Sequence, residues 1–137
     1  MPYPNLPLEF VVNGTPVSLQ SSSKGRQSWK ERVRAGGSAA IPMDALQLTC
    51  PISVTIYYFP EGEMEGDIDN IVKPILDAMN KLIYDDDHQV ERVVVQRFAE
   101  DNFYDFPNPS SALVGAMISA GPAVYIRVTD DIHGDLR

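Results

Sequence analysis

The sequence predicts an α/β (α+β) fold in which one small sheet packs against two or three helices. Three observations carry this reading. Residues 47–59 are dominated by β-branched and aromatic side chains, with Ile52, Val54, Ile56 and Tyr58 alternating against Ser53, Thr55 and Tyr57. Residues 90–98 form a second β-prone run. Between them Ile71, Val72, Ile75, Leu76, Met79 and Leu82 make an apolar stripe at helical spacing, so strand, crossover helix and strand follow in order.

The remaining elements fall around that unit. Residues 8–12 are apolar and β-prone, Asn13-Gly14 is a turn signal, and residues 15–19 are expected to return as the second strand of a hairpin. Residues 20–23 are small and polar, as in a loop. Ser28 and Glu31 have capping-box spacing, and Gly36-Gly37 is expected to end a short helix. A connection with Pro42 leads to residues 47–59, where Pro51 marks a strand start or bulge. Gly62 and Gly66 permit a tight turn after it. Asp69 is placed to cap a helix running to about Lys81, although Pro74 biases Lys73 away from helical geometry. Both faces of residues 90–98 are apolar enough for burial. Residues 100–111 read as a loop, 111–120 as a short helix and 123–128 as a final strand.

Composition bounds the function. With 137 residues and 44% apolar content, residues 1–137 are expected to form one domain. A single cysteine, Cys50, leaves no internal disulfide and suits a reducing cytoplasm. The first residues lack the basic and apolar regions of a signal peptide, and no apolar run is long enough to span a bilayer, so no membrane association is expected. Charge is unevenly spread. From Glu61 to Glu91 ten acids face only Lys73 and Lys81, which accounts for the whole net charge of −8; elsewhere nine acids meet nine bases. A pI near 4.5 argues against nucleic-acid binding by the protein as a whole but permits a local basic patch.

That patch has a candidate. Lys24, Arg26, Lys30, Arg32 and Arg34 place five of the eleven bases within eleven positions, with Trp29 among them. Contact with a DNA backbone is the favoured reading; a solvated amphipathic helix with Trp29 in the core is the alternative.

Residues 67–90 carry the chemistry. Asp67 and Asp69, two apart, share a side if the backbone there is extended, and Lys73 follows by four; residues 85–87 are three consecutive aspartates. Crowded carboxylates repel one another unless a cation relieves them, and an oxygen-only donor set points to Mg²⁺ or Mn²⁺ rather than zinc. Read without further context, the same residues also fit a solvated acidic face with a helix cap in it. A Ca²⁺-binding loop opening at Asp67 fits poorly, because Val72 and Ala78 stand where glycine and glutamate are needed. His88 reads as a solvated loop histidine, with a metal ligand or proton relay as the alternative.

Ten defined positions in this block, Asp67, Asp69, Asn70, Lys73, Asp77, Ala78, Asp86, Asp87, Gln89 and Val90, resemble the signature of the RusA-type Holliday junction resolvases. The resemblance implies a small mixed β-sheet with helices, assembled as a homodimer, and a Mg²⁺-dependent endodeoxyribonuclease acting on four-way DNA junctions in recombination and repair. By position it makes Asp67, Asp69, Lys73 and Asp87 catalytic, with Asp67, Asp69 and Asp87 holding the metal. Members of the family tend to carry basic residues just before the first aspartate, where this chain has Glu61, Glu63 and Glu65. A catalytically weak or inactive relative that binds branched DNA is therefore the alternative function.

Overall fold

A computed structural model describes residues 2–18, 21–62, 67–99 and 105–136. Glu63, Glu65 and Gly66 lie outside them, so the expected turn at Gly66 does too. The described residues hold one four-stranded mixed sheet and three α-helices: β1 (Leu8–Asn13), α1 (Ser23–Ala40), β2 (Ile52–Phe59), α2 (Val72–Met79), β3 (Val90–Arg97), α3 (Ser111–Met117) and β4 (Ala123–Thr129). The order across the sheet is β1-β4-β2-β3. β4 runs antiparallel to both β1 and β2, whereas β2 and β3 are parallel and joined through α2, as the alternating strand and helix patterns require.

Period-two alternation divides the apolar residues between two layers. Leu8, Phe10 and Val12, then Ile52, Val54, Ile56 and Tyr58, then Val124, Ile126 and Val128 point to one side. There they meet Trp29 and Val33 of α1 and Ile75 and Met79 of α2 in the main core. On the opposite side Ala123 and Tyr125 receive Leu113 and Ala116 of α3, with Tyr57 and Phe106 packed against them.

Several expectations are corrected. No hairpin forms: β1 is a sheet edge paired to β4, with Val11 opposite Tyr125, and residues 15–18 are not a strand. Pro16 lacks the donor a ladder needs, and the Gly14 amide bonds the Pro122 carbonyl at 2.8 Å instead. Helix α1 begins six residues earlier than expected, because Ser22 rather than Ser28 caps it through its hydroxyl, which accepts from the Gly25 amide at 3.1 Å. Gly36 and Gly37 lie inside α1 and do not end it. A side chain at either would press on Phe10 and Val12 or on Ile83, with approaches of 3.2 Å and 3.0 Å, so these glycines permit close packing. Nor is Asp69 a helix cap: residues Ile68–Ile71 form a 3-10 turn entered from Asp67, and α2 starts only at Val72.

Pro74 disturbs nothing. It is the third residue of α2, where the backbone amide has no intrahelical partner to lose, and Lys73 keeps helical geometry. α2 also stops at Met79, short of the expected Lys81, whose φ of 65° belongs to the turn that follows. The strand expected to be buried on both faces is instead an edge: β3 is half-exposed, with Val93 40% accessible.

Candidate active site

The turn after α2 sets the site. The Leu82 and Ile83 amides bond the Met79 carbonyl, and the Lys81 amide bonds the Tyr84 carbonyl at 2.8 Å, which reverses the chain and drives Ile83 and Tyr84 into the core. The next residues, 85–89, therefore return along α2 before entering β3.

Gln89 holds this return in place, and it is buried. Its Oε1 accepts from the Asp85 and Asp86 amides at 2.9 and 2.8 Å, and its Nε2 donates to the Leu48 and Cys50 carbonyls at 2.8 and 3.0 Å. Every hydrogen-bonding position of the amide group is occupied, as a buried side chain of this kind demands. Asp86 and Gln89 form a capping box around the 3-10 turn Asp87–Gln89. Exposed His88 turns its Nδ1 onto Asp86 Oδ2, which holds the Asp86 carboxyl below the usual carboxylate range; the Asp87 amide adds to this.

Asp87 projects from that turn toward α2. Its Oδ2 lies 3.0 Å from Lys73 Nζ, and its Oδ1 lies 3.0 Å from the Tyr84 hydroxyl, which also sits 2.8 Å from the Leu76 carbonyl. Lys73 is shared: Asp77, one helical turn on, meets its Nζ at 2.7 Å. The hydrogen bond Lys73 donates to Asp77, then that to Asp87, raises its pKa above the ordinary value, so the ammonium is charged throughout the neutral range. Burial and the Asp87 carboxylate push the Tyr84 phenol upward as well, and it stays protonated.

Asp67 and Asp69 stand apart from this network. Both are exposed on the 3-10 turn before α2, and among the described residues neither carboxylate has a hydrogen-bond or ion-pair partner. Their turn contacts β3. Oxygen-only donors fit a hard divalent cation in chemistry. Among the described residues, however, no three acidic, histidine or cysteine side chains converge closely enough to hold one.

Of the sequence-derived site residues, the structure thus brings Lys73 and Asp87 together and leaves Asp67 and Asp69 on a separate turn. Residue types alone did not reveal the parts played by Asp77, Tyr84 and Gln89. Asp77 was signalled by its spacing of four from Lys73, and Gln89 by its spacing of three from Asp86; the Tyr84 contact had no signal, since it depends on the turn.

The basic segment also acquires detail. Trp29 and Val33 face the core, while Lys24 and Arg32 are exposed. Lys30 is half-buried. Arg26 bonds the Ser21 carbonyl and lies 3.4 Å from the Ser23 hydroxyl. Arg34 reaches across to α2, where its Nη1 donates to the Ala78 and Asn80 carbonyls at 3.1 and 3.3 Å. A guanidinium placed there satisfies helix-end carbonyls and the negative end of the helix dipole.

A mixed four-stranded α+β protein with a lysine held between carboxylates beside an edge strand is the class that fold and site define together. The model of one protein family, endodeoxyribonuclease RusA, matches residues 10–105, from β1 through the whole acid and lysine site. The chain belongs to this family, whose members are endodeoxyribonucleases that resolve Holliday junctions in branched DNA. A search of curated proteins finds no match. No helix among the described residues is long and apolar enough to cross a membrane.

Proposed function

We propose that this protein is a Mg²⁺-dependent, structure-selective endodeoxyribonuclease that cuts four-way DNA junctions in recombination and repair, acting as a homodimer in the cytoplasm. The observation that carries the reading is the family match over residues 10–105, which contains the Lys73–Asp87 pair.

Asp67, Asp69 and Asp87 would hold the cation, with Mn²⁺ able to replace Mg²⁺. A bound cation of this type polarises a phosphoryl oxygen and lowers the pKa of water. The other contributions come from the chain. Asp77 keeps Lys73 within reach of Asp87 while leaving the ammonium half-exposed, so it can meet negative charge growing on the scissile phosphate. Helix α2 and the capped turn at Asp86 fix the separation of Lys73 and Asp87. Lys24 and Arg32, exposed on α1, supply contacts to the DNA backbone. A homodimer would place two such sites on a two-fold substrate.

A second reading, a catalytically weak relative that binds branched DNA, draws support from the lack, among the described residues, of three side chains converging to hold a metal and from the engagement of Arg34 with α2. One experiment distinguishes the two. Purified protein is incubated with a synthetic four-way junction, linear duplex and single strand in Mg²⁺, Mn²⁺ or chelator. Metal-dependent cutting confined to the junction supports the nuclease; binding of the junction without cutting in any metal supports the binder.

A further inference from the structure

Tyr84 is fully buried, yet its hydroxyl reaches the edge of the site. A phenol has one proton to donate and two acceptors within range here, the Leu76 carbonyl at 2.8 Å and Asp87 Oδ1 at 3.0 Å. The Leu76 carbonyl already receives the Asn80 amide at 3.0 Å. A carboxylate is also the stronger acceptor. The proton is therefore shared between the two, with Asp87 the stronger acceptor. Since Oδ1 is held from inside the protein, Oδ2 is the oxygen left facing Lys73 and the open side of the site.

We propose that Tyr84 is a positioning residue for Asp87, presenting Oδ2 in the orientation that the cation and the reacting phosphate require. The proposal rests on the reading of Asp87 as a metal ligand given above. Its physical content is that the orientation of Asp87 is set before the cation arrives, so no rotamer has to be selected on binding. The hydroxyl is the only atom that Tyr84 contributes to the site, and Tyr84→Phe removes it while leaving the core ring in place. Hydrogen bonds of this kind, made to a metal ligand rather than to the metal, change metal affinity or activity by about 10- to 100-fold when lost.

The test compares wild type, Tyr84→Phe and Asp87→Asn. Calorimetry measures Mn²⁺ binding to the protein alone, and single-turnover cleavage of a four-way junction is followed as Mg²⁺ is varied. In Tyr84→Phe the Mn²⁺ Kd and the half-saturating Mg²⁺ concentration are expected to rise about 10-fold, with part of the rate recovered at high Mg²⁺. A purely structural hydroxyl would lower the melting temperature and leave both metal readouts unchanged, which would overturn the proposal. The underlying assignment fails separately: wild-type cleavage by Asp87→Asn removes Asp87 from the site, whereas a dead Asp87→Asn beside unaltered metal affinity in Tyr84→Phe overturns only the positioning role. Should Tyr84→Phe not fold, the Tyr84 hydroxyl proton resonance decides. Its shift is expected to move in Asp87→Asn, and an unmoved resonance would contradict the proposal.

Discussion

The two acidic turns flanking α2 have the same chemistry and opposite organisation. Residues 85–89 are held from several directions: Gln89 secures the backbone, Tyr84 and Lys73 hold the two oxygens of Asp87, and His88 meets Asp86. Asp67 and Asp69, on the turn before the helix, are exposed and bonded to nothing among the described residues. Like charges normally repel unless donors or cations face them, and among the described residues the protein supplies such partners to the carboxylates of the second turn alone. The difference suggests a site half built by the fold and half dependent on a cation and substrate for its final arrangement.

The sharpest way to separate the two turns is to remove a carboxylate from the free one. Asp69→Asn is expected to reduce junction cleavage below detection while keeping or improving junction binding, because it removes a proposed metal ligand and a negative charge together. Its unfolding free energy should stay within about 0.5 kcal/mol of wild type, as for a surface change that breaks no contact. Urea unfolding and gel-shift assays on the same preparation check both halves.

Lys73→Ala comes next. If the lysine meets charge that develops only in the transition state, the single-turnover rate at saturating Mg²⁺ falls by about 10² to 10³, with metal affinity unchanged or higher. Equal rates would reduce Lys73 to a counter-ion for Asp77 and Asp87.

The ordered turn is tested through its backbone. Gln89→Ala takes a partner from the Asp85 and Asp86 amides and a donor from the Leu48 and Cys50 carbonyls, and only the Asp85 amide keeps a second partner, the Leu48 carbonyl at 3.3 Å, so a loss of about 1 to 3 kcal/mol is expected in urea unfolding. A loss under about 0.5 kcal/mol would mean that the Asp85 and Asp86 amides find other partners without cost.

Smaller effects separate the bases of α1. Arg34→Ala should cost about 1 kcal/mol through the α2 carbonyls and barely alter the salt dependence of junction binding. Lys24→Ala should leave stability untouched and lower the slope of log K against log salt by about 1. The reverse pattern would make Arg34 the DNA contact and Lys24 the bystander.

The smallest effect is in pH. Because folding raises the Lys73 pKa, its contribution to stability is complete below the ordinary lysine value of about 10.4 and fades as pH climbs through the raised folded value. The Asp86 contribution has the opposite sign: present above about pH 4, it is lost as pH falls through the lowered folded value. Lys73→Ala should flatten the alkaline side of the stability profile.

Much of the architecture was legible because it follows from periodicity. The alternation through Ile52, Val54, Ile56 and Tyr58 and the stripe from Ile71 to Met79 place β2 and α2 without any long-range information. The misread elements were those decided by a neighbour. Gly36 and Gly37 look like a helix stop until Phe10, Val12 and Ile83 are seen against them, and the hairpin after Asn13 fails because Pro16 lacks a ladder donor and the Gly14 amide goes to Pro122, over a hundred residues on. The same division holds in the site. Lys73 with Asp77 is a local helical pair; Tyr84 with Asp87 exists only because the turn at Lys81 brings a core residue back beneath the acidic loop.

Backbone hydrogen exchange, measured with and without Mg²⁺ in the absence of DNA, addresses the two-turn account most directly. Amides of residues 67–71 are expected to gain protection on adding Mg²⁺, while those of Asp85 and Asp86, already bonded by Gln89, and of Asp87 and Gln89, already bonded by Asp86, change little. Protection that rises equally in both turns, or not at all in residues 67–71, would contradict the account.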